Sequence, residues 1–260
     1  MRSLSIAATG MLAQQLNVEV ISNNIANMNT TAFKRQRAEF QDLLYQNARR
    51  VGAQSSDQNT IVPAGVQIGL GVKTTAVYRI TEQGNLVTTG NTLDVALQGK
   101  GFFQIQMPDG QTAYTRAGSF QLGPNGNIVT ADGYSILGPG AIPRNATDVT
   151  INQNGQVIVT EPGQTPQNIG QFQLAKFIND AGLESIGDNI FRSTPASGDP
   201  VTGVAGRDGF GTTLQGFLET ANVNTVQEVT NLITAQRAYE MNSKVISASD
   251  EMLGTLNQLR

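Results

Sequence analysis

Two apolar columns with a seven-residue period, one near each end of the chain, constrain this sequence most. Leu4, Met11, Val18 and Ile25 recur at that spacing in a stretch to Met28 with no proline and a single glycine, Gly10. Leu232, Tyr239, Ile246 and Leu253 repeat the pattern between Val226 and Leu259, where Gly254 is the one interruption. Seven-residue spacing marks a narrow seam along which one helix meets another. Gln14 and Gln15 sit within the first seam, where polar groups lower stability but fix register. In the second, Ala235, Asn242 and Ser249 follow the large residues by three positions, so large and small alternate. Asn222, Asn224 and Thr225 are candidate caps for that helix. The expectation is a hairpin of two long helices; packing of each helix on the central region is the alternative.

A helix of about 25 residues is a rod of roughly 38 Å. Each seam residue contributes on the order of 1.5–3 kcal/mol if fully buried. Ordering a residue's backbone costs roughly 1–2 kcal/mol. Eight anchors therefore do not hold both ends rigid, and neighbouring copies are expected to supply the missing contacts.

Between the helices the chain is rich in Gly, Asn and Thr. Asn125-Gly126 and Asn154-Gly155 signal two-residue hairpin turns with positive φ at both central positions. They are flanked by β-branched runs at Ser119–Leu122, Ile128–Ala131, Val149–Asn152 and Gln156–Thr160. The fold class is thus α+β: long terminal helices forming a paired, coiled-coil-like domain, with an inserted antiparallel β-rich domain. The expected boundaries are 1–32 and 222–260 for the helical domain and 91–211 for the β domain. A linking region covers 33–90 and 212–221, and within it about 45–71 reads as an extended arm.

Composition removes several function classes. The 260 residues include neither Cys nor His, so no disulfide, thiolate nucleophile or ordinary zinc site can be built. Charged residues make up 14%, a low value for a freely soluble monomer and a suitable one for a chain that packs on its own copies. A net charge of −3 gives no general attraction to nucleic acid. The basic run Lys34, Arg35, Arg37, Arg49 and Arg50 reads as a solvated or interface-lining face. No stretch is long and apolar enough to span a membrane, and the N-terminal residues do not form a standard signal peptide.

Catalysis would fall to carboxylates, lysine or tyrosine. Asp94, Asp109, Asp132, Glu161 and Asp180 mostly sit beside glycine or in predicted loops, where turn roles are expected. Gly99-Lys100-Gly101 and Gly69-Leu70-Gly71 lack the ending of a phosphate loop. Asn152-Gln153-Asn154-Gly155 lacks the closing Glu of a calcium loop. Phe102-Phe103 reads as a buried strand pair rather than a base-stacking platform. No catalytic, cofactor or metal residues are assigned, and an enzyme is not expected.

Four ordered blocks resemble the flagellar rod and hook family. The first is Ile21–Lys34, with Asn23, Asn24, Asn27, Thr30 and Phe33 at the end of the first helix. Thr92–Phe103 and Tyr114–Phe120 follow, and Gln236–Lys244 lies on the last helix. The family often has Gly where this chain has Ala32, a strained choice if positive φ is needed there. The segment Val51–Thr60, with Ala53, Gln54, Ser55, Ser56 and Asp57, is similar to an arm characteristic of the rod branch. The resemblance implies a structural subunit, exported without a cleaved signal peptide, that forms a homopolymer in the basal body. It implies contacts with proximal rod proteins, hook protein and the surrounding rings, and neither cofactor nor nucleic acid.

Overall fold

A computed structural model of the chain describes residues 2–49 and 64–258. These divide into two compact units, one of residues 2–26, 36–49, 64–78 and 224–258, the other of 27–35 and 79–223. The expected linking region 33–90 contributes to both.

The first unit contains the two long helices, α1 (Arg2–Ala26) and α2 (Thr225–Gln258), packed against each other along their length. Asn224 caps α2: its side-chain oxygen accepts the backbone N–H of Gln227 at 3.2 Å, satisfying one donor that the first turn leaves free. Strand β1 (Gln36–Asp42) pairs with β4 (Val72–Arg79). Strands β2 (Tyr45–Arg49) and β3 (Val66–Gly69) pair antiparallel, Tyr45 opposite Gly69 and Arg49 opposite Val66. Both edges of the expected arm are therefore paired strands. Ala53, Gln54, Ser55, Ser56 and Asp57 lie outside the described residues.

The second unit is antiparallel β, with a nine-stranded sheet and smaller two- and three-stranded ladders. Phe102 and Phe103 head the central strand Phe102–Gln106, and the two-residue period of a strand sends them to opposite faces. Phe103 meets Phe120 and Phe172 at ring-centroid distances of 5.0 and 5.6 Å, in a cluster with Val95, Leu97, Ile105 and Leu174. Phe102 meets Phe177 and Phe191 at 6.0 and 5.9 Å in a second cluster that includes Tyr114. One dipeptide thus seeds two cores.

The hairpin turns differ from the two-residue form expected. At Gly123–Gly126 and Asn152–Gly155 the glycine N–H bonds the carbonyl three residues back, and φ is positive at Gly126 (82°) and Gly155 (78°) but not at the preceding Asn. The loop has three residues and closes with a left-handed glycine, the geometry of a type I turn with a bulge. Met107–Gly110 and Thr130–Gly133 repeat it. A type I turn followed by one left-handed residue places the strain on glycine alone, which an Asn-Gly pair satisfies equally well.

Candidate assembly interface

Small residues take half of the buried positions on the helix pair. On α1 the buried positions are Ala7, Ala13, Val20, Ile21 and Asn24; on α2 they are Glu228, Ala235 and Ser249. Gly10 lies against Asn242 so closely that a Cβ there would fall 2.9 Å from the amide nitrogen. Close approach of two backbones needs small groups at the contact, and the alternating column Ala235, Asn242, Ser249 supplies them.

The larger members of the predicted seam are placed differently. Leu4, Met11, Val18 and Ile25, and likewise Leu232, Ile246 and Leu253, are half-buried, while Tyr239 is 39% exposed. Val18 and Tyr239 line one open groove of about 620 Å³, together with Gln15, Glu19, Gln236 and Glu240. The outer side of α2 leaves Val226, Val229, Ile233, Met241, Val245 and Met252 in solvent.

The end of α1 is organised by Asn24, which is buried. Its carboxamide accepts the backbone N–H of Gln36 and donates to the backbone carbonyl of Gln36, each at 2.8 Å, so the side chain serves as a strand partner for the first residue of β1. It also donates to Glu228 Oε2 at 3.3 Å on α2. Asn23 is exposed, whereas Asn27, Thr30 and Phe33 are half-buried. Thr30 N–H and Oγ1 both donate to Asn27, at 3.1 Å each, and Phe33 N–H donates to Thr30 O at 3.2 Å. Asn and Thr side chains thus satisfy backbone groups where the helix ends. Ala32 adopts φ 57°, the left-handed conformation that its position demands.

The second unit holds a charged cluster that the sequence did not single out. Glu219 is buried and accepts from Lys34 Nζ at 2.5 Å, Arg116 Nε at 2.7 Å and Gly84 N–H at 2.9 Å. Arg116 also donates to the carbonyls of Gly101, Leu97 and Gly99, and Lys34 to that of Glu82. Lys34 is therefore not part of a solvated basic face: it is buried because its charge meets a carboxylate and a carbonyl. Burial lowers the Lys34 ammonium's pKa, and Glu219 only partly restores it. Burial alone would raise the pKa of the Glu219 carboxyl, but Arg116 and Lys34 outweigh it and hold the group below the ordinary carboxylate range.

Three of the five carboxylates considered for chemistry serve local structure. Asp94 accepts from Thr89 Oγ1 at 2.6 Å and from Asn91 Nδ2 at 3.1 Å; Asp109 accepts the N–H of Gln111 at 3.0 Å, and Glu161 an amide of Asn145 at 3.0 Å. Among the described residues no group of three or more Asp or Glu is placed to hold a metal. No described helix is long and apolar enough to cross a membrane.

Three stretches match known families: 4–34 the family described as flagella basal body rod protein, 96–159 the flagellar hook protein FlgE/F/G D1 domain, and 214–259 the flagellar basal body rod FlgEFG protein C-terminal region. The flagellar basal-body rod protein FlgG of Caulobacter vibrioides is 59% identical, with all of both chains aligned. FlgG of Bacillus subtilis is 38% identical over all of this chain and 99% of its own length. The flagellar hook-basal body complex protein FlhP of Bacillus subtilis is 30% identical, again over all of both chains.

This chain belongs to the flagellar basal-body rod family.

The matched regions of this rod-family chain contain the elements just described. The N-terminal match covers α1 and runs to Lys34; the C-terminal match covers Glu219, Asn224 and α2. The 96–159 match holds Arg116 and the Phe103–Phe120 core. Lys34 and Arg116 lie within blocks that resemble the family, Ile21–Lys34 and Tyr114–Phe120, and that is the signal the sequence carries for the cluster. Glu219 carries no such signal, because one acid among many does not announce its burial.

Proposed function

We propose that this chain is a structural subunit of the distal part of the flagellar rod, a homopolymer that forms a rigid, hollow drive shaft between motor and hook. The observation that carries this reading is the division of labour on the helix pair. Gly10 and Asn242 meet closely within one chain, and the large members of the heptad columns are only half-buried, or exposed in the case of Tyr239. Leu4, Met11, Val18, Ile25, Leu232, Tyr239, Ile246 and Leu253 are the residues that neighbouring subunits would cover. The β unit, with its own two cores, would form the outer part of each subunit, and the segment around Ala53–Asp57 would bridge copies. Full-length likeness to proteins named as rod subunits supports the rod over a hook role. On this reading the chain works outside the cytoplasm and meets proximal rod proteins, hook protein and surrounding rings at the two ends and flank of the polymer.

Replacing Ile246 by Glu tests the reading. A charge at a half-buried flank position is expected to abolish polymerisation and motility while the β unit keeps its thermal transition. Polymers of normal length from this variant would overturn the assignment.

A further inference from the structure

Strands β1 to β4 form one two-stranded ribbon with a joint in it. β1 pairs with β4 and β2 with β3. The gap between the two ladders is bridged: Leu43 N–H donates to Gly71 O at 2.8 Å, and Leu70 N–H to Leu44 O at 3.2 Å. Leu43-Leu44 on one side and Leu70-Gly71 on the other fall between the regular strands. At that point Gly71 has φ 119°, a conformation that L side chains rarely adopt. Such a glycine re-aims a strand where regular pairing is interrupted.

Thr9 of α1 sits against this joint. Its hydroxyl donates to the carbonyl of Ile6 at 2.8 Å and accepts the N–H of Val72, the first residue of β4, at 3.3 Å. A helical threonine commonly bonds a carbonyl one turn back, and that bond alone gives it no wider role. The second bond ties residues 63 positions apart, on a lone pair that the first leaves free. The backbone also comes close. A Cβ on Gly71 would run into Thr9 Oγ1 and stand 3.3 Å from Thr9 Cβ. A β-branched side chain is stiff at its first torsion and yields little room. Position 71 therefore needs glycine for the angle and for the space.

Beyond the joint, no described residue of β2 or β3 is buried, so no packed side chain holds the direction of the ribbon there. We infer that Thr9 is a positioning residue for the arm: together with Gly71 it fixes the angle at which the ribbon leaves α1. The inference rests on the reading of this ribbon as the base of an arm that bridges copies, and adds what aims it. Leverage makes the angle consequential. Ala48 lies five residues past Leu43, about 17 Å of strand, so a turn of about 20° at the joint moves it by about 6 Å.

The chain has no cysteine, so two introduced thiols carry the spin labels unambiguously. Ser22 on α1 and Ala48 on the ribbon are exposed, and the β2–β3 pairing skips Ala48. The full-length Ser22→Cys/Ala48→Cys chain is labelled, copolymerised with an excess of unlabelled chain, and the label separation read by pulsed electron resonance. One narrow separation is expected, kept by Thr9→Ser, which retains the hydroxyl. Thr9→Val and Gly71→Ala are each expected to shift it by about 5 Å or more, or to broaden it at least about twofold. An unmoved separation in Thr9→Val or Gly71→Ala, or an equal displacement in Thr9→Ser, would overturn the inference. For a variant that does not polymerise, the separation is read in the free chain, where the same order of variants is expected. The Ala48 label tests the underlying reading separately. Without the Thr9 and Gly71 changes, access of a soluble relaxation agent to it should fall at least about twofold on polymerisation. Unchanged access would overturn bridging by the arm and leave the joint standing.

Discussion

Gly10 of α1 faces Asn242 of α2 across a gap that a single Cβ would reduce to 2.9 Å. The glycine is costly for a helix, by roughly 1 kcal/mol relative to alanine. It is tolerated because the absent side chain lets two backbones approach along the small column Ala235, Asn242, Ser249. Gly10→Ala gains helix propensity and displaces the tip of a flexible amide, so its net effect is expected within about 1 kcal/mol of zero. Gly10→Leu forces the helices apart, at a cost of about 1–3 kcal/mol. Thermal unfolding followed by circular dichroism separates the two. Equal melting of both variants would show that the close contact is unimportant.

Glu219 joins stretches far apart in sequence: it binds Lys34, Arg116 and the N–H of Gly84, and its strand Phe217–Glu219 pairs with Leu86–Thr88. Removing one partner of a buried ion cluster leaves uncompensated charge, typically a loss of 3–5 kcal/mol. Glu219→Gln is expected to lower stability by that amount in urea unfolding. The pH dependence has a definite sign. The folded carboxyl titrates below its unfolded value, near 4.3, so the unfolded chain binds the proton first as pH falls. The cluster's stabilisation is full above that value and is lost as pH drops through the folded pKa. Glu219→Gln should flatten the acid limb of the stability curve below about pH 4.3; an unchanged acid limb would show that other carboxylates control it.

The two aromatic clusters differ in depth, and a pair of substitutions measures the difference. Phe103 is fully enclosed among Phe120, Phe172 and aliphatic neighbours, whereas Phe102 is 7% exposed and shares its cluster with Phe191, over which the Arg79 guanidinium sits. Phe103→Ala is expected to cost about 3–5 kcal/mol, the usual range for a buried phenylalanine. Phe102→Ala should cost less, because its cluster lies nearer to solvent. Chemical denaturation of both would check the order.

Local patterns made much of the fold legible. The paired helices, the β middle and the buried Phe102-Phe103 step follow from period and composition, because those signals are properties of one segment at a time. The finer geometry was not legible where it depends on a partner. Which column of α2 meets α1 is decided by how closely the backbones approach, and Gly10, the residue that permits it, reads in sequence only as a tolerated interruption. Lys34 looked like one of five basic surface residues because its burial is set by Glu219, 185 positions away. The strands Tyr45–Arg49 and Val66–Gly69 lack a clear apolar alternation since every residue but Gly69 is exposed, leaving no buried face to impose the period.

Ala32 gives the sharpest test of the helix-end geometry. Its φ of 57° is a left-handed value that costs an L-residue roughly 1–2 kcal/mol, yet its methyl is buried and its N–H donates to the carbonyl of Glu219 at 2.8 Å. Ala32→Gly removes the backbone strain and loses about 0.8 kcal/mol of methyl burial, so stability should rise by at most about 1 kcal/mol. Ala32→Val keeps the strain, adds a branch at the position least able to accept one, and crowds a buried site; a loss of at least about 2 kcal/mol is expected. The separation between the glycine and valine variants, measured in the same urea series, should then exceed about 2 kcal/mol. Near-equal midpoints would mean that the turn relaxes to negative φ at little cost, and that the Glu219 carbonyl is not what holds it.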